Sequence, residues 1–346
     1  MLTLLEKLCN AFGPSGYEDE VRAIIIDEIK DYATSYRVDA VGNLIVFKKG
    51  RKVPSYKRLF SAHMDEVGFM ITHIDKDGYA CIDSVGGIDR RVVAGRRVIV
   101  GDKRVNGVIA AKPIHLQPAA ERGICIPVEK SYIDVCTNSA EETEKLFGIG
   151  DLASFVPNFE LFGDGRVKSK AIDDRFGCAV LADMIKTDLE YDTYFAFCIC
   201  EETGCRGALG VAFSEKADFV CVVEATTAGD IHGAPKSQYG CIQGEGAVIS
   251  FMDGGTVYDK ELVRHVMTLA EENGIKAQLK NLAVGGNDAQ AYQKVPCAAK
   301  VLAVSAPARY IHSPAATAKI SDLEDIRALL LFLANNEINI GGQTNA

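Results

Sequence analysis

The chain has 346 residues, enough for two domains or for one large domain carrying an insertion. Apolar residues make up 48% and charged ones 25%, a globular composition that excludes intrinsic disorder. Acidic side chains outnumber basic ones by 47 to 38, and the resulting net charge of −9 repels phosphate backbones and anionic lipid, so neither nucleic acid nor membrane is expected as a partner.

Met1 to Phe12 carries Glu6 and Lys7 and reads as an amphipathic helix, not as a secretory signal. Glu18–Tyr32 places Val21, Ile24, Ile25, Ile29 and Tyr32 on one helical face. Arg37–Phe47 alternates like a strand, and Arg58–Ala62 runs apolar into His63. From about 67 to 163 helical patterns nearly vanish. Short alternating runs such as Gly68–Ile74, Tyr79–Ile82, Val98–Val100 and Val105–Ala110 are separated by turn signals, which predicts a small β-barrel or sandwich. One helix interrupts it, started by Ser139 with Glu142 three residues later. Beyond about 164, runs that are apolar on both faces (Tyr194–Cys200, Phe219–Val223, Ala298–Val304) read as central strands. Phe176–Ile185, Lys260–Asn273 and Asp322–Asn335 read as covering helices. The expectation is therefore an α/β fold, a mixed central sheet flanked by helices over residues 1–66 and 164–346, interrupted by a β-rich insertion over 67–163. The longest apolar runs, Tyr194–Cys200 and Ala328–Ala334, fall far short of the roughly 20 residues of a membrane span. Eleven scattered cysteines without a Cys-x-x-Cys pair point to reduced thiols and a cytoplasmic location.

The apolar strands run into polar clusters, and open α/β sheets bind ligands at the carboxyl ends of their strands. His63-Met64-Asp65-Glu66 follows the first. Asp173-Asp174-Arg175 stands at a strand–helix junction, and Glu201-Glu202-Thr203-Gly204 follows Tyr194–Cys200. Glu224 closes Phe219–Val223, and Ile311-His312-Ser313-Pro314 follows the last strand. Singly, each has a plain reading: a hydrogen-bonded histidine, a helix cap, a solvated turn. Together, two histidines and several carboxylates at one sheet edge would be costly to crowd without cations. Mixed nitrogen and oxygen donors suit zinc, manganese or cobalt better than magnesium, and a shared carboxylate would hold two ions about 3.5–4 Å apart. Asp65 lies two residues from His63 and can accept from its second ring nitrogen. Cys198 and Cys200 belong to an apolar strand and read as packing.

The strings Ala62-His63-Met64-Asp65-Glu66, Asp173-Asp174-Arg175, Glu201-Glu202-Thr203-Gly204-Cys205-Arg206-Gly207-Ala208 and Ile311-His312-Ser313-Pro314 resemble the glutamyl/deblocking (TET-type) family of dinuclear metallo-aminopeptidases. Gly13-Pro14-Ser15-Gly16 and Gly285-Gly286-Asn287-Asp288-Ala289 match that family's loops in order. The resemblance implies a zinc-exopeptidase-like fold with an inserted small β-barrel, PDZ-like domain, and two divalent metal ions per subunit, zinc first, cobalt or manganese as alternatives. It implies that Asp173 bridges the ions, with His63 and Glu224 completing one site and Glu202 and His312 the other. Asp65 would support His63, and Glu201 would be the general base in removing the first residue of short peptides. A cis Asp173–Asp174 peptide and assembly into a homo-oligomer, up to a tetrahedral dodecamer built through the insertion, are implied as well. Two departures stand out: Glu224-Ala225-Thr226 replaces an Asp-x-Thr string, and Ala315-Ala316-Thr317 replaces a segment with a carboxylate near His312.

Three rival readings stay open. A dinuclear deacylase or carboxypeptidase would share the ligands and would prefer blocked peptides. A glucanase would use two opposed carboxylates and survive chelation. A non-enzymatic metal-dependent assembly protein would bind metal and turn nothing over. Arg206, Asp288 and His232 are the remaining candidates for a substrate pocket, while His73 and His115 in the insertion have no ligand-like neighbours.

Overall fold

A computed structural model describes residues 1–341. Among these, eleven strands form one mixed sheet, and six more close into a separate barrel. The four central strands of the sheet are parallel, in the order Thr193–Cys198, Arg58–His63, Phe219–Thr227, Lys300–Arg309. They are nearly continuous apolar runs because helices and strands bury both faces, as parallel sheets require. Leu2–Asn10, Asp19–Ile29, Ile172–Ile185 and Ile320–Asn335 pack together on the sheet. Arg206–Glu215 and Ala289–Gln293 pack against each other as a second group. The mixed α/β architecture anticipated from the sequence is therefore present.

Several local expectations need correction. Arg37–Phe47 is not one strand but an antiparallel pair, Ser35–Val38 and Leu44–Lys48. The Asp39 carboxylate accepts from the backbone N–H groups of Val41, Gly42 and Asn43 and so closes the turn between them. Glu224 does not end its strand. Phe219–Thr227 stays paired with Lys300–Arg309 as far as Thr227↔Ala308, beyond the point where Arg58–His63 stops. The strand that precedes His312 is not the last either. The chain turns after Arg309, with Tyr310 and His312 in the left-handed region (φ 60° and 56°), and returns as Ala316–Lys319. Non-glycine residues rarely adopt that conformation, and here it swings the imidazole back over the sheet edge.

The barrel consists of Gly68–Ile74, Ala80–Val85, Tyr132–Asp134, Val105–Ala110, Arg97–Val100 and Leu152–Phe155. Its interior is a core of its own, with Phe69 and Phe155 meeting edge to face. The anticipated helix is Ala140–Glu144. The Ser139 hydroxyl accepts from Glu142 N–H, and the Glu142 carboxylate accepts from Asn138 N–H. Glu160–Phe162 and Arg166–Ser169 lead the chain back into the large sheet.

Candidate metal centre

His63 is the last residue of its strand, and the register Val222↔Ser61 carried two residues further sets Glu224 beside it. Asp173 comes from the start of Ile172–Ile185, where Asp173 and Asp174 keep non-helical φ/ψ and the peptide between them is cis. The three side chains meet with His63 Nε2 3.3 Å from Asp173 Oδ1 and 3.7 Å from Glu224 Oε2. On the other side, His312 Nε2 lies 3.3 Å from Asp173 Oδ2 and 3.4 Å from Glu202 Oε1. The structure thus gathers all five sequence-derived metal candidates into two groups that share Asp173.

The supporting residues are equally well placed. Asp65 is fully buried, with Oδ1 3.4 Å and its carbonyl oxygen 3.2 Å from His63 Nδ1. Its carboxylate also accepts from the Ser15 hydroxyl at 2.6 Å and from the backbone N–H groups of Glu201 and Glu202 at 2.9 and 3.1 Å. One carboxylate therefore fixes a histidine of the first group and the backbone that aims both glutamates. Asn43 performs a similar service, accepting from Ile199 N–H and donating to the Gly207 carbonyl. A Cβ at Gly207 would stand 2.4 Å from Asn43 Oδ1, so this close approach explains that glycine, and φ +111° explains Gly204. Asp174 accepts from His63 N–H and Gly177 N–H, tying the helix start to the strand end. Beneath them Glu66 forms a buried ionic contact with Lys170 at 2.6 Å and, at longer range, with Arg175.

The electrostatics of this cluster favour positive charge at its centre. Burial opposes the charged form of His63, but Glu224, Asp173 and Asp65 together hold its pKa well above the ordinary imidazole value. His312 likewise overcomes burial through Asp173, Glu202 and the backbone of Gly87 and is pushed up to about 9. Burial raises Glu202 to about 8, and it pushes Glu201 well above its usual range together with the carboxylates of Glu224 and Asp288. Asp173 Oδ1 and Glu224 Oε1 are buried without a hydrogen-bond partner. A buried, under-partnered carboxylate cluster faced by two imidazoles fits divalent cations bound through mixed nitrogen and oxygen donors.

Not every candidate joins. His232 is exposed on its loop, and Arg206 is spent on a turn, donating from Nε to the Thr203 carbonyl. His73 and His115 lie outside the clusters found among the described residues. Cys198 is buried against Ser61 and Tyr292, as packing predicts. Ser15, which is not among the candidates above, joins the site through Asp65, and Asp288 is fully buried. The Gly13-Pro14-Ser15-Gly16 string was the available signal for the first, because a hydroxyl in a tight turn is a natural carboxylate partner. Beside His312, Ile311 and Ser313 form part of the wall of a cleft of about 800 Å³. Its other walls include Phe162, Ile231, Arg96 and Lys168.

Among proteins of known structure, the TET1 peptidase of Pyrococcus horikoshii, which can assemble into a tetrahedron or a large octahedral shell, is 36% identical, with a TM-score of 0.86 over 97% of this chain and 99% of that one. An endoglucanase structure from Thermotoga maritima is 35% identical, with a TM-score of 0.79 over 96% of both chains. Lysyl aminopeptidase of Pyrococcus furiosus is 28% identical over 330 residues, 93% of each chain. The family model for the M42 glutamyl aminopeptidases matches residues 42–329, a span that contains all five clustered histidines and carboxylates, and the chain belongs to that family.

Proposed function

We propose that this enzyme is a dinuclear metal-dependent aminopeptidase that removes the first residue of short peptides. The observation carrying the proposal is Asp173, whose two carboxylate oxygens each face a different histidine at 3.3 Å. His63, Asp173 and Glu224 would hold one ion, and Asp173, Glu202 and His312 the other. Zinc suits these donors first, and cobalt or manganese are the alternatives. When bound, two such ions lower the pKa of water and polarise the peptide carbonyl.

The chain's own residues then have distinct tasks. Glu201, adjacent to the cluster but outside both ligand groups, takes the proton of the attacking water and passes it to the leaving amine. Asp65 keeps Glu201 and Glu202 aimed through their backbone N–H groups. The free α-amine of the substrate is held by the carboxylates of the cluster, and the cleft beside His312 takes the peptide. The test is a panel of aminoacyl-p-nitroanilides and N-blocked counterparts, assayed after reconstitution with zinc, cobalt or manganese. Turnover of free-amine substrates that chelation abolishes is expected. Preference for blocked peptides would favour the deacylase reading, and cleavage of a glucan that survives chelation would favour the glucanase one.

Residues 67–163 form the assembly unit in this reading, making no contact with the ions, and the subunits associate into a closed homo-oligomer. The assembly behaviour of the P. horikoshii relative supports this. Light scattering of the purified chain checks it. A cytoplasmic site of action fits the eleven cysteines, all free, in a compartment that keeps thiols reduced.

A further inference from the structure

Beside the two groups that share Asp173 lies a third. Glu201, Cys205 and Asp288 place a carboxylate oxygen, a sulfur and a second carboxylate oxygen within 4.8 Å of one another. The three arrive from two loops. Glu201 and Cys205 follow the strand Thr193–Cys198, with Cys205 held in the left-handed region (φ 54°) at the head of Arg206–Glu215. Asp288 stands at the head of Ala289–Gln293. Cys205 Sγ is 3.6 Å from Glu201 Oε1 and receives Gln290 Nε2 at 3.2 Å. An independent observation singles out Asp288. It is fully buried, and neither of its carboxylate oxygens has a hydrogen-bond partner. Buried carboxylates are almost always satisfied, so two orphaned oxygens facing a thiol and a second carboxylate mark a place where a cation fits.

We propose that Glu201, Cys205 and Asp288 form a third cation site, selective for thiophilic divalent ions such as zinc or cadmium, whose occupation withdraws Glu201 from its role as base and so inhibits the enzyme. Binding replaces the thiol proton, which leaves to solvent, with a metal–sulfur bond, while the two carboxylates supply oxygen donors. A thiolate with two carboxylates favours zinc or cadmium over magnesium or calcium. The inhibitory half of the proposal rests on Glu201 being the general base; the cation site itself does not.

The experiment uses the full chain loaded with two equivalents of zinc. Further zinc is titrated by calorimetry while turnover is followed, and a parallel titration with cadmium monitors the ultraviolet thiolate-to-cadmium charge-transfer absorption. A third equivalent is expected, accompanied by falling turnover and, with cadmium, by the thiolate band; magnesium should do neither. Cys205→Ser should keep full turnover at two equivalents, lose the band from this site, and need roughly 10–100-fold more zinc for inhibition, the scale of loss when a metal's supporting groups are removed. Asp288→Asn provides a second variant of nearly unchanged volume and should also weaken the third equivalent while leaving the first two. Saturation at two equivalents in the parent chain, or the same third equivalent and band in Cys205→Ser, would overturn the site. A third equivalent with its thiolate band but undiminished turnover would leave the cation site standing and overturn the role given to Glu201.

Discussion

The two halves of the proposed metal centre share one carboxylate but are built differently. The half around His63 and Glu224 is composed of central-strand residues, and both side chains are almost completely buried. The half around His312 and Glu202 is composed of loop residues, and the His312 side chain keeps 34% of its exposure beside the open cleft. His63 and Glu224 are each held in a strand ladder, His63 opposite Cys198 and Glu224 opposite Ser305, whereas His312 depends on a left-handed turn and on the backbone of Gly87, in the loop after Ala80–Val85. The inner half should therefore hold its ion rigidly, and the outer half should exchange more readily and respond to the barrel.

The largest effect is expected at the adjacent glutamates. Glu201→Gln should retain both ions while turnover falls roughly 10²–10⁴-fold, the usual contribution of a general base. Glu202→Gln should lose the outer ion selectively and regain part of its activity with excess manganese. Metal analysis alongside turnover checks both, and loss of metal in Glu201→Gln would reverse the assignment. Asp65→Asn touches both halves at once, through His63 Nδ1 and through the glutamate N–H groups. It should cost about 10–100-fold in metal affinity on both sides, measured by competition with a chromogenic chelator.

A third test uses pH on the metal-free chain. His312 is raised from 6.5 to about 9, so its contribution to stability is complete below 6.5 and is lost as pH rises through 9. Glu202 and Asp288 are raised to about 8 from 4.5 and 3.8, so their folded forms also bind protons that the unfolded chain releases. All three act in one direction, the carboxylates from about pH 4 to 8 and His312 from about 6.5 to 9, so the melting temperature of the metal-free chain should fall across that span. Cations replace those protons in the loaded enzyme, so its melting temperature should be much flatter over the same range. The smallest effect is expected for Glu224→Asp, which keeps the charge of the inner half but withdraws it by one methylene. Turnover should persist with an altered ranking of zinc, cobalt and manganese, read from the same reconstitution panel.

The inner half was also the more legible in the sequence. Arg58–Ala62 running into His63 and Phe219–Val223 running into Glu224 are apolar strands whose polar ends stand out. The extension of the second strand to Thr227 was hidden, because only pairing with Lys300–Arg309 keeps Glu224 inside the ladder. The outer half was legible only as a motif. Nothing local in Ile311-His312-Ser313-Pro314 announces a left-handed turn, and the contact with Gly87 joins residues more than two hundred positions apart. Ser15 and Asp288 were obscured for the same reason. Their partners are tertiary neighbours, and a turn serine or an aspartate before a helix has a sufficient local explanation. The barrel was visible as alternation and turn signals, but its closure depends on Arg97–Val100 pairing with Leu152–Phe155 across a long connection.

The central claim is that Asp173 serves both halves, and counting ions in Asp173→Asn tests it most directly. The full chain and this variant are stripped with chelator, reloaded with a slight excess of zinc, dialysed, and analysed for metal per subunit. The account predicts two tightly held ions in the parent chain and weakened retention at both positions in the variant, because Oδ1 faces His63 and Oδ2 faces His312. A variant that keeps one ion at full affinity and loses only the other would contradict the shared carboxylate and with it the dinuclear centre proposed here.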